Sequence, residues 1–217
     1  MNDLISVCKV CQPILFADDT TLLYNDTNYD ALINKANSEL SDISTWFAIN
    51  KLSLNVEKTQ FIQFQRNKAT PFPKPQTLKI NENTIQKVEY VKFLGVYIDQ
   101  YMKWNEHISR KCNQISRTIG MLSRLKNILP RPIMLTLYSS LIVPYITYGV
   151  VAWGNTDNSQ IKRMSILQKR SVRLINGSKY NSHTGPIFRS LRLLTLQDIF
   201  HLECCKVFAK FCQGQLP

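Results

Sequence analysis

The spacing of apolar residues changes once along this chain, near residue 101, and that change limits its architecture more than any other feature. Beyond it, Ile108, Cys112, Ile115, Ile119 and Leu122 recur in strict 4-3-4-3 steps. A long helix, predicted over 105–128, places this series on one stripe with the form of a coiled-coil seam. A second helical region is predicted over 132–152, with Pro132 in its first turn and a kink at Pro144. A third covers 158–176 and closes at Gly177. A short helix or turn follows over 184–194. Thr195-Leu-Gln-Asp198 then reads as a capping-box-like start to a last helix ending near Gly214.

The texture before residue 101 is different. Residues 13–24 read as two short β runs, with Asp18 and Asp19 where a tight hairpin turn falls. Leu32, Ala36, Leu40, Ile43 and Phe47 predict an amphipathic helix over 28–50. Asn28 or Thr27 caps it, and Asp30 lies in its first turn. A strand over 59–65 comes next, then a loop over 66–76 carrying Pro71, Pro73 and Pro75. Residues 77–98 read as a hairpin with its turn at 81–83 and a long second strand over 85–98. Gly95 in that strand marks a bulge or a close backbone approach. The expected fold class is α+β: hairpins plus one helix over 1–100, then an all-α helical bundle over 101–217.

Charge divides at the same place. The 217 residues carry 27 Lys and Arg against 15 Asp and Glu, a net of +12. Residues 1–100 hold 10 basic and 11 acidic side chains, whereas residues 101–217 hold 17 and 4. The helical half therefore owns the whole excess, which points to a polyanion as its partner. Arg110, Arg117 and Arg124 are seven apart, so they line one helix face over about 21 Å. Ile108, Ile115 and Leu122 occupy a different stripe. Lys162, Arg163, Lys169, Arg170 and Arg173 enrich the third helix. Phosphates along a duplex suit such a surface. A purely structural helical protein accounts poorly for it.

Composition excludes other classes. At 44% hydrophobic residues the chain can bury a core, and it is neither collagen-like nor wholly disordered. The uncharged stretch 132–156 is long enough to span a membrane. Its Thr136, Ser139, Ser140, Pro144 and Thr147 favour a buried helix pair or a kinked helix instead. No secretory segment precedes the six cysteines, which read as reduced thiols of an intracellular protein, nuclear or cytoplasmic. Cys8-Lys-Val-Cys11 has the spacing of half a zinc site. Its only clustered partners, Cys204, Cys205, Cys212 and His201, lie on another element, so loop or core thiols are expected. His107 and His183 are expected at the surface or at helix caps.

The acidic pair is the one constellation with chemistry. Adjacent carboxylates at a hairpin tip offer the oxygen ligands that Mg²⁺ takes alongside substrate phosphates. A two-metal phosphoryl-transfer site needs carboxylates on a rigid element, holding metals about 3.5–4 Å apart. A solvated turn is the bland alternative. The apolar β runs on both sides of the pair favour the site.

Ile14-Leu-Phe-Ala-Asp-Asp-Thr-Thr-Leu-Leu-Tyr24 resembles the palm motif of reverse transcriptases from non-LTR (LINE-like, jockey-like) retrotransposons. The downstream order resembles the family too. A helix ends in Trp46-Phe47. Asn50-Lys-Leu-Ser-Leu-Asn55-Val-Glu-Lys58-Thr59 resembles the next polymerase motif, and Tyr90-Val-Lys-Phe93-Leu94-Gly95-Val96 the hairpin called the primer grip. The helix from Trp104 and the run Leu141-Ile-Val-Pro144-Tyr-Ile-Thr-Tyr148-Gly149 resemble the helical thumb. Ile187-Phe-Arg-Ser-Leu-Arg-Leu-Leu-Thr195-Leu resembles its continuation.

The resemblance implies the C-terminal part of an RNA-directed DNA polymerase: a partial palm over 1–100 and a thumb over 101–217. It implies Mg²⁺, or Mn²⁺, at Asp18 and Asp19, the first as the more direct ligand. It implies that Lys58 approaches the incoming nucleotide and protonates the leaving pyrophosphate, and that Phe93, Leu94 and Gly95 place the primer end. Partners would be an RNA template, a DNA primer, deoxynucleotide triphosphates and the missing N-terminal polymerase half, with no membrane. The family's site uses a further Asp on an earlier strand. Only 17 residues precede Asp18 here, and Asp3 belongs to a later segment, so the chain alone is expected not to polymerise. The alternative is a non-catalytic nucleic-acid-binding remnant that uses the basic helical half.

Overall fold

The computed structural model describes residues 3–65 and 77–215. The proline-bearing stretch 66–76 lies outside the described residues. The chain is mixed α+β and divides into two compact units, Met1–Val91 and Lys92–Pro217. The division falls earlier than the change of texture at residue 101.

In the first unit, a 3-10 turn at Leu4–Ser6 precedes strands β1 (Gln12–Phe16) and β2 (Asp19–Leu23), an antiparallel hairpin. Helix α1 spans Tyr29–Ile49. It starts where the sequence places it, because the Asn28 side chain accepts the backbone N–H groups of Asp30 and Ala31. Its buried face holds Ile33, Ala36, Leu40 and Ile43, and also Glu39. Ile33 and Glu39 therefore take the places that the period assigns to Leu32 and Phe47, which are half-buried.

The predicted strand over 59–65 reduces to β3 (Gln60–Phe61), and the long strand over 85–98 is broken. β4 (Lys79–Ile80) and β5 (Asn83–Thr84) form a tight hairpin, and β6 (Gln86–Lys87) pairs in parallel with β3. Val88 and Glu89 then separate β6 from β7 (Tyr90–Phe93), which pairs with β8 (Val96–Asp99). A parallel partner distant in sequence left no local signal, so the apolar run read as continuous. Leu78, Ile80 and Ile85 pack with the apolar residues of α1 into the first core.

The second unit is helical after β8. Helix α2 spans Asn105–Leu125, and all five seam residues are buried. The uncharged stretch breaks into α3 (Arg131–Leu141), α4 (Val143–Thr147) and α5 (Val150–Trp153). Pro132 and Pro144 sit in the first turns of α3 and α4, where their missing N–H costs nothing. Gly149 takes a left-handed φ of 64° between α4 and α5. No helix of the described residues is long and apolar enough to cross a membrane. Helix α6 (Asn158–Asn176) ends on Gly177, also left-handed. Helix α7 spans Thr184–Ser190, and α8 (Leu196–Cys212) opens with the full Thr195–Asp198 capping box.

Buried Gln168 ties these helices together. Its amide donates to Tyr138 Oη and the Leu194 carbonyl, and its oxygen accepts the Leu196 N–H at 2.8 Å. Every polar atom of that buried side chain is engaged, so the group costs little to bury and fixes the register of α3, α6 and α8.

Candidate metal and nucleic-acid sites

The β1–β2 hairpin carries the acidic pair. Its two-residue loop is Ala17-Asp18, and Asp19 opens β2 opposite Phe16. Asp18 thus stands at the tip and Asp19 one step down the strand. Ala17 adopts φ 54°, a left-handed value at a loop position that favours glycine. An L-residue there costs about 1–2 kcal/mol. Both carboxylates are exposed. They offer hard oxygen donors, the class that fits Mg²⁺ or Mn²⁺. Among the described residues no group of three or more His, Cys, Asp or Glu side chains is placed to hold a metal. Lys58 ends an exposed 3-10 turn, where its N–H donates to the Asn55 side chain. No hydrogen bond or ion pair joins it to Asp18 or Asp19 among the described residues.

Glu39 anchors the segment leading into this hairpin, a role that the sequence concealed. Its carboxylate accepts the backbone N–H groups of Lys9, Val10 at 2.7 Å and Cys11 at 3.0 Å. Burial pushes its pKa up, but these bonds and one from the Cys11 thiol outweigh it and hold the carboxyl below its ordinary range. Burial, then Cys8 and Glu39, push the Cys11 thiol up to about 12. Burial likewise raises Cys8. Cys11 is buried and Cys8 half-buried at the start of the hairpin. Only a tertiary partner explains a glutamate at a buried helical position, so no local pattern could have shown it.

In the second unit, the β7–β8 hairpin ends in Leu94-Gly95, with φ 44° and 84°. Positive φ at both central residues is the geometry of the tightest hairpin loops. The Tyr148 hydroxyl, just past α4, donates to the Leu94 carbonyl at 2.5 Å. A Cβ on Gly95 would stand 3.3 Å from Tyr148 Cε1. Gly95 is therefore a loop residue at a close approach, not a bulge within a strand. Phe93 and Leu94 are half-buried.

The turn from β8 into α2 is held by Asp99. Its carboxylate accepts the N–H groups of Tyr101, Lys103 and Trp104 across two left-handed residues, Met102 and Trp104. His107 is fully buried, contrary to the surface or cap position expected of it. Its Nδ1 accepts the Tyr97 N–H at 3.2 Å, and its ring lies 5.6 Å from that of Trp153. Burial, and then the charge of Lys111, lower its pKa to about 4, so it is a neutral structural link. His183 is exposed at the N-cap of α7 without a side-chain cap bond, which agrees with a surface position.

The candidate nucleic-acid cations are unequal. Arg117 and Arg124 are exposed on α2. Arg110 instead bonds Glu106 and stacks 4.5 Å over the Tyr97 ring. Helices α2 and α6 run the same way. Near their starts Arg163 acts electrostatically on Cys112, and their ends border one cleft of about 330 Å³ lined by Lys126, Arg131 and Arg173. Lys162, Lys169 and Arg170 are exposed on α6. Arg163 reaches Gln160, and Arg173 donates to the Ser182 carbonyl at 2.8 Å. Arg173 thus braces the loop after α6, whereas Arg117, Arg124, Lys162, Lys169 and Arg170 remain outward-facing.

The chain is similar to RNA-directed DNA polymerases of non-LTR retrotransposons, and the match falls in their C-terminal portion. It is 25% identical over 187 residues to a probable RNA-directed DNA polymerase from transposon X-element of Drosophila melanogaster, covering 84% of this chain and 20% of that protein. It is 24% identical over 186 residues to the RNA-directed DNA polymerase from mobile element jockey of the same species, with the same coverage. A retrovirus-related Pol polyprotein from type-1 retrotransposable element R1 of Bradysia coprophila is 25% identical over 209 residues, 94% of this chain and 20% of that protein. The chain spans about a fifth of the length of these relatives. No family model matches it, and no solved structure does.

Proposed function

We propose that this chain carries the end of the palm and the thumb of an RNA-directed DNA polymerase, and that its basic helices grip the template–primer duplex. The observation that carries the reading is the Ala17-Asp18 hairpin loop, a strained tip presenting Asp18 and Asp19, within a chain similar to RNA-directed DNA polymerases over 84% of its length. Asp18 and Asp19 would hold Mg²⁺, or Mn²⁺, which when bound neutralises charge developing on the transferred phosphoryl group. Lys58 supplies a cation toward the leaving pyrophosphate, and the Leu94-Gly95 loop positions the primer end. Deoxynucleotide triphosphates, template and primer are the partners of the complete enzyme. Two carboxylates alone do not complete a two-metal site, so robust extension requires a further ligand from outside the described residues.

A second reading keeps the grip and leaves the acidic pair idle. The absence of a third acidic or other ligand beside the pair, among the described residues, favours it. One experiment separates the two. Binding of an RNA–DNA duplex with a recessed 3′ end is measured with and without Mg²⁺, for the natural chain and for Asp18→Asn and Asp19→Asn. The polymerase reading expects Mg²⁺ to tighten binding and either substitution to abolish the gain. Binding without any Mg²⁺ gain leaves the remnant reading. No binding removes both.

A further inference from the structure

Helix α8 meets the core of its own unit only at its start. Leu196 and Ile199 are buried, and Phe200 packs against the helical core. From His201 to Cys212, Glu203 and Cys204 are half-buried and every other residue is exposed. A helix that leaves its core in this way ordinarily turns polar residues outward. Here Leu202 is 42% exposed, and Phe208 and Phe211 are each 68% exposed. Cys205 and Cys212 are exposed as well. At about 100° per residue, Glu203, Lys206 and Lys210 gather on one side, where Lys206 bonds Glu203. The other side carries no Asp, Glu, Lys or Arg from 201 to 212. An apolar face on the strongly basic half of the chain costs free energy to solvate unless something covers it.

We propose that this face is the interface of a two-fold homodimer, in which α8 pairs antiparallel with α8 of a second copy. The face reads as a heptad, with Cys205 and Cys212 at a, His201 and Phe208 at d, Leu202 and Ala209 at e, and Cys204 and Phe211 at g. In an antiparallel pair, a faces d, e faces e and g faces g. One register then sets Cys205 against Phe208, Cys212 against His201, Ala209 against Leu202 and Cys204 against Phe211 of the second copy. Every facing pair joins a small side chain to a large one, which lets two helices interdigitate without voids. Two-fold symmetry repeats each pair, so one surface supplies both sides of the contact. A parallel pair loses the match, because it sets Phe208 on Phe208 and Cys205 on Cys205. Glu203, Lys206 and Lys210 fall at b and f, outside the seam, so two copies of a chain of net charge +12 meet where neither presents a lysine, an arginine or an acidic residue. The seam runs for only about 18 Å. That falls short of the roughly 1,200 Å² of a standard stable interface, so the pair exchanges at micromolar concentration rather than locking.

The test is sedimentation equilibrium of the full chain under reducing conditions, at salt high enough to strip nucleic acid. The expected result is a reversible monomer–dimer equilibrium with a dissociation constant in the micromolar range. Phe208→Glu should weaken it about tenfold or more and, at an exposed position, leave the melting temperature of the dilute chain within a few degrees. Disulfide trapping reads the register, with Phe208→Cys in a Cys204→Ser/Cys212→Ser background. Mild oxidation should give a covalent dimer whose linked peptides join position 208 to Cys205 of the second copy. A chain that stays monomeric at millimolar concentration, or a dimer that Phe208→Glu leaves intact, would overturn the proposal. Covalent dimers joined only from 208 to 208, or from 205 to 205, would overturn the antiparallel pairing. A monomer that instead floats with phosphatidylcholine vesicles, and loses that binding with Phe208→Glu, would give the face to a lipid surface and overturn the homodimer.

Discussion

The Tyr148 hydroxyl and the Leu94 carbonyl are joined across 54 residues of chain, 2.5 Å apart. The Tyr148 carbonyl in turn accepts the Nε1–H of fully buried Trp153 at 2.9 Å. A single tyrosine thus ties a half-buried, left-handed hairpin tip to the centre of the helical core. Tyr148→Phe should cost about 1 kcal/mol in denaturant unfolding and speed amide exchange at Leu94, Gly95 and Val96. Unchanged exchange at the tip would show that Tyr148 does not hold it. Gly95→Ala should cost more, since it adds left-handed strain to contact with the same ring.

Gly154 allows α8 to close over α5. A Cβ there would collide with the Phe200 ring and with the Val150 carbonyl oxygen. The ring can shift, but the carbonyl belongs to the helix backbone. Gly154→Ala should destabilise by about 1–3 kcal/mol, read from the urea midpoint at unchanged m-value. A neutral substitution would place Phe200 elsewhere.

His107 makes the second unit sensitive to mild acid. Its ordinary pKa is about 6.5, and burial lowers it to about 4 in the fold. Between those values the unfolded chain binds the extra proton, so stability rises with pH. The contribution is fully present above about pH 6.5 and is lost as pH falls toward 4, by about 3 kcal/mol in all. His107→Gln, which cannot titrate, should flatten the stability–pH curve in that window. A curve of the same slope in the variant would remove the assignment.

Glu39 acts in the same direction at lower pH. Its carboxyl titrates below the ordinary value because backbone N–H groups hold the charged form, despite burial. Its contribution is present above the unfolded carboxylate range and is lost as pH falls through the depressed folded value. Glu39→Ala should cost roughly 2 kcal/mol at neutral pH, because it strands three backbone donors at once, that of Cys11 buried and those of Lys9 and Val10 partly so. Loss confined to the first unit, followed by hydrogen exchange at residues 9–11, is the expected signature.

How much of this was legible in the sequence follows the range of the interactions. Helix α2, its seam, the Asn28 cap of α1, the Gly177 stop and the Thr195–Asp198 box are set by neighbours within a turn or two, and the period showed them. The parallel pairing of β3 with β6 links residues 26 apart through two hydrogen-bonded positions, Gln60 with Gln86 and Phe61 with Lys87. It left no alternation to read. Glu39 and His107 look like surface residues by type, and only their partners at residues 9–11 and 97 make them interior. In the candidate site, the acidic pair was visible from its flanks. The division of labour among the arginines was not, because Arg110 and Arg173 are committed by Glu106, Tyr97 and the Ser182 carbonyl.

That division gives the most direct test of the central claim, that the helical half is a nucleic-acid grip. The measurement is the salt dependence of binding of an RNA–DNA duplex to the full chain and to Arg117→Gln/Arg124→Gln. The account expects log K to fall linearly with log salt, and the double variant to lower the slope by about two with little change in melting temperature. Arg110→Gln should change the slope less, because its guanidinium is already engaged. No binding at low salt, or identical slopes for the natural and doubly substituted chains, would contradict it.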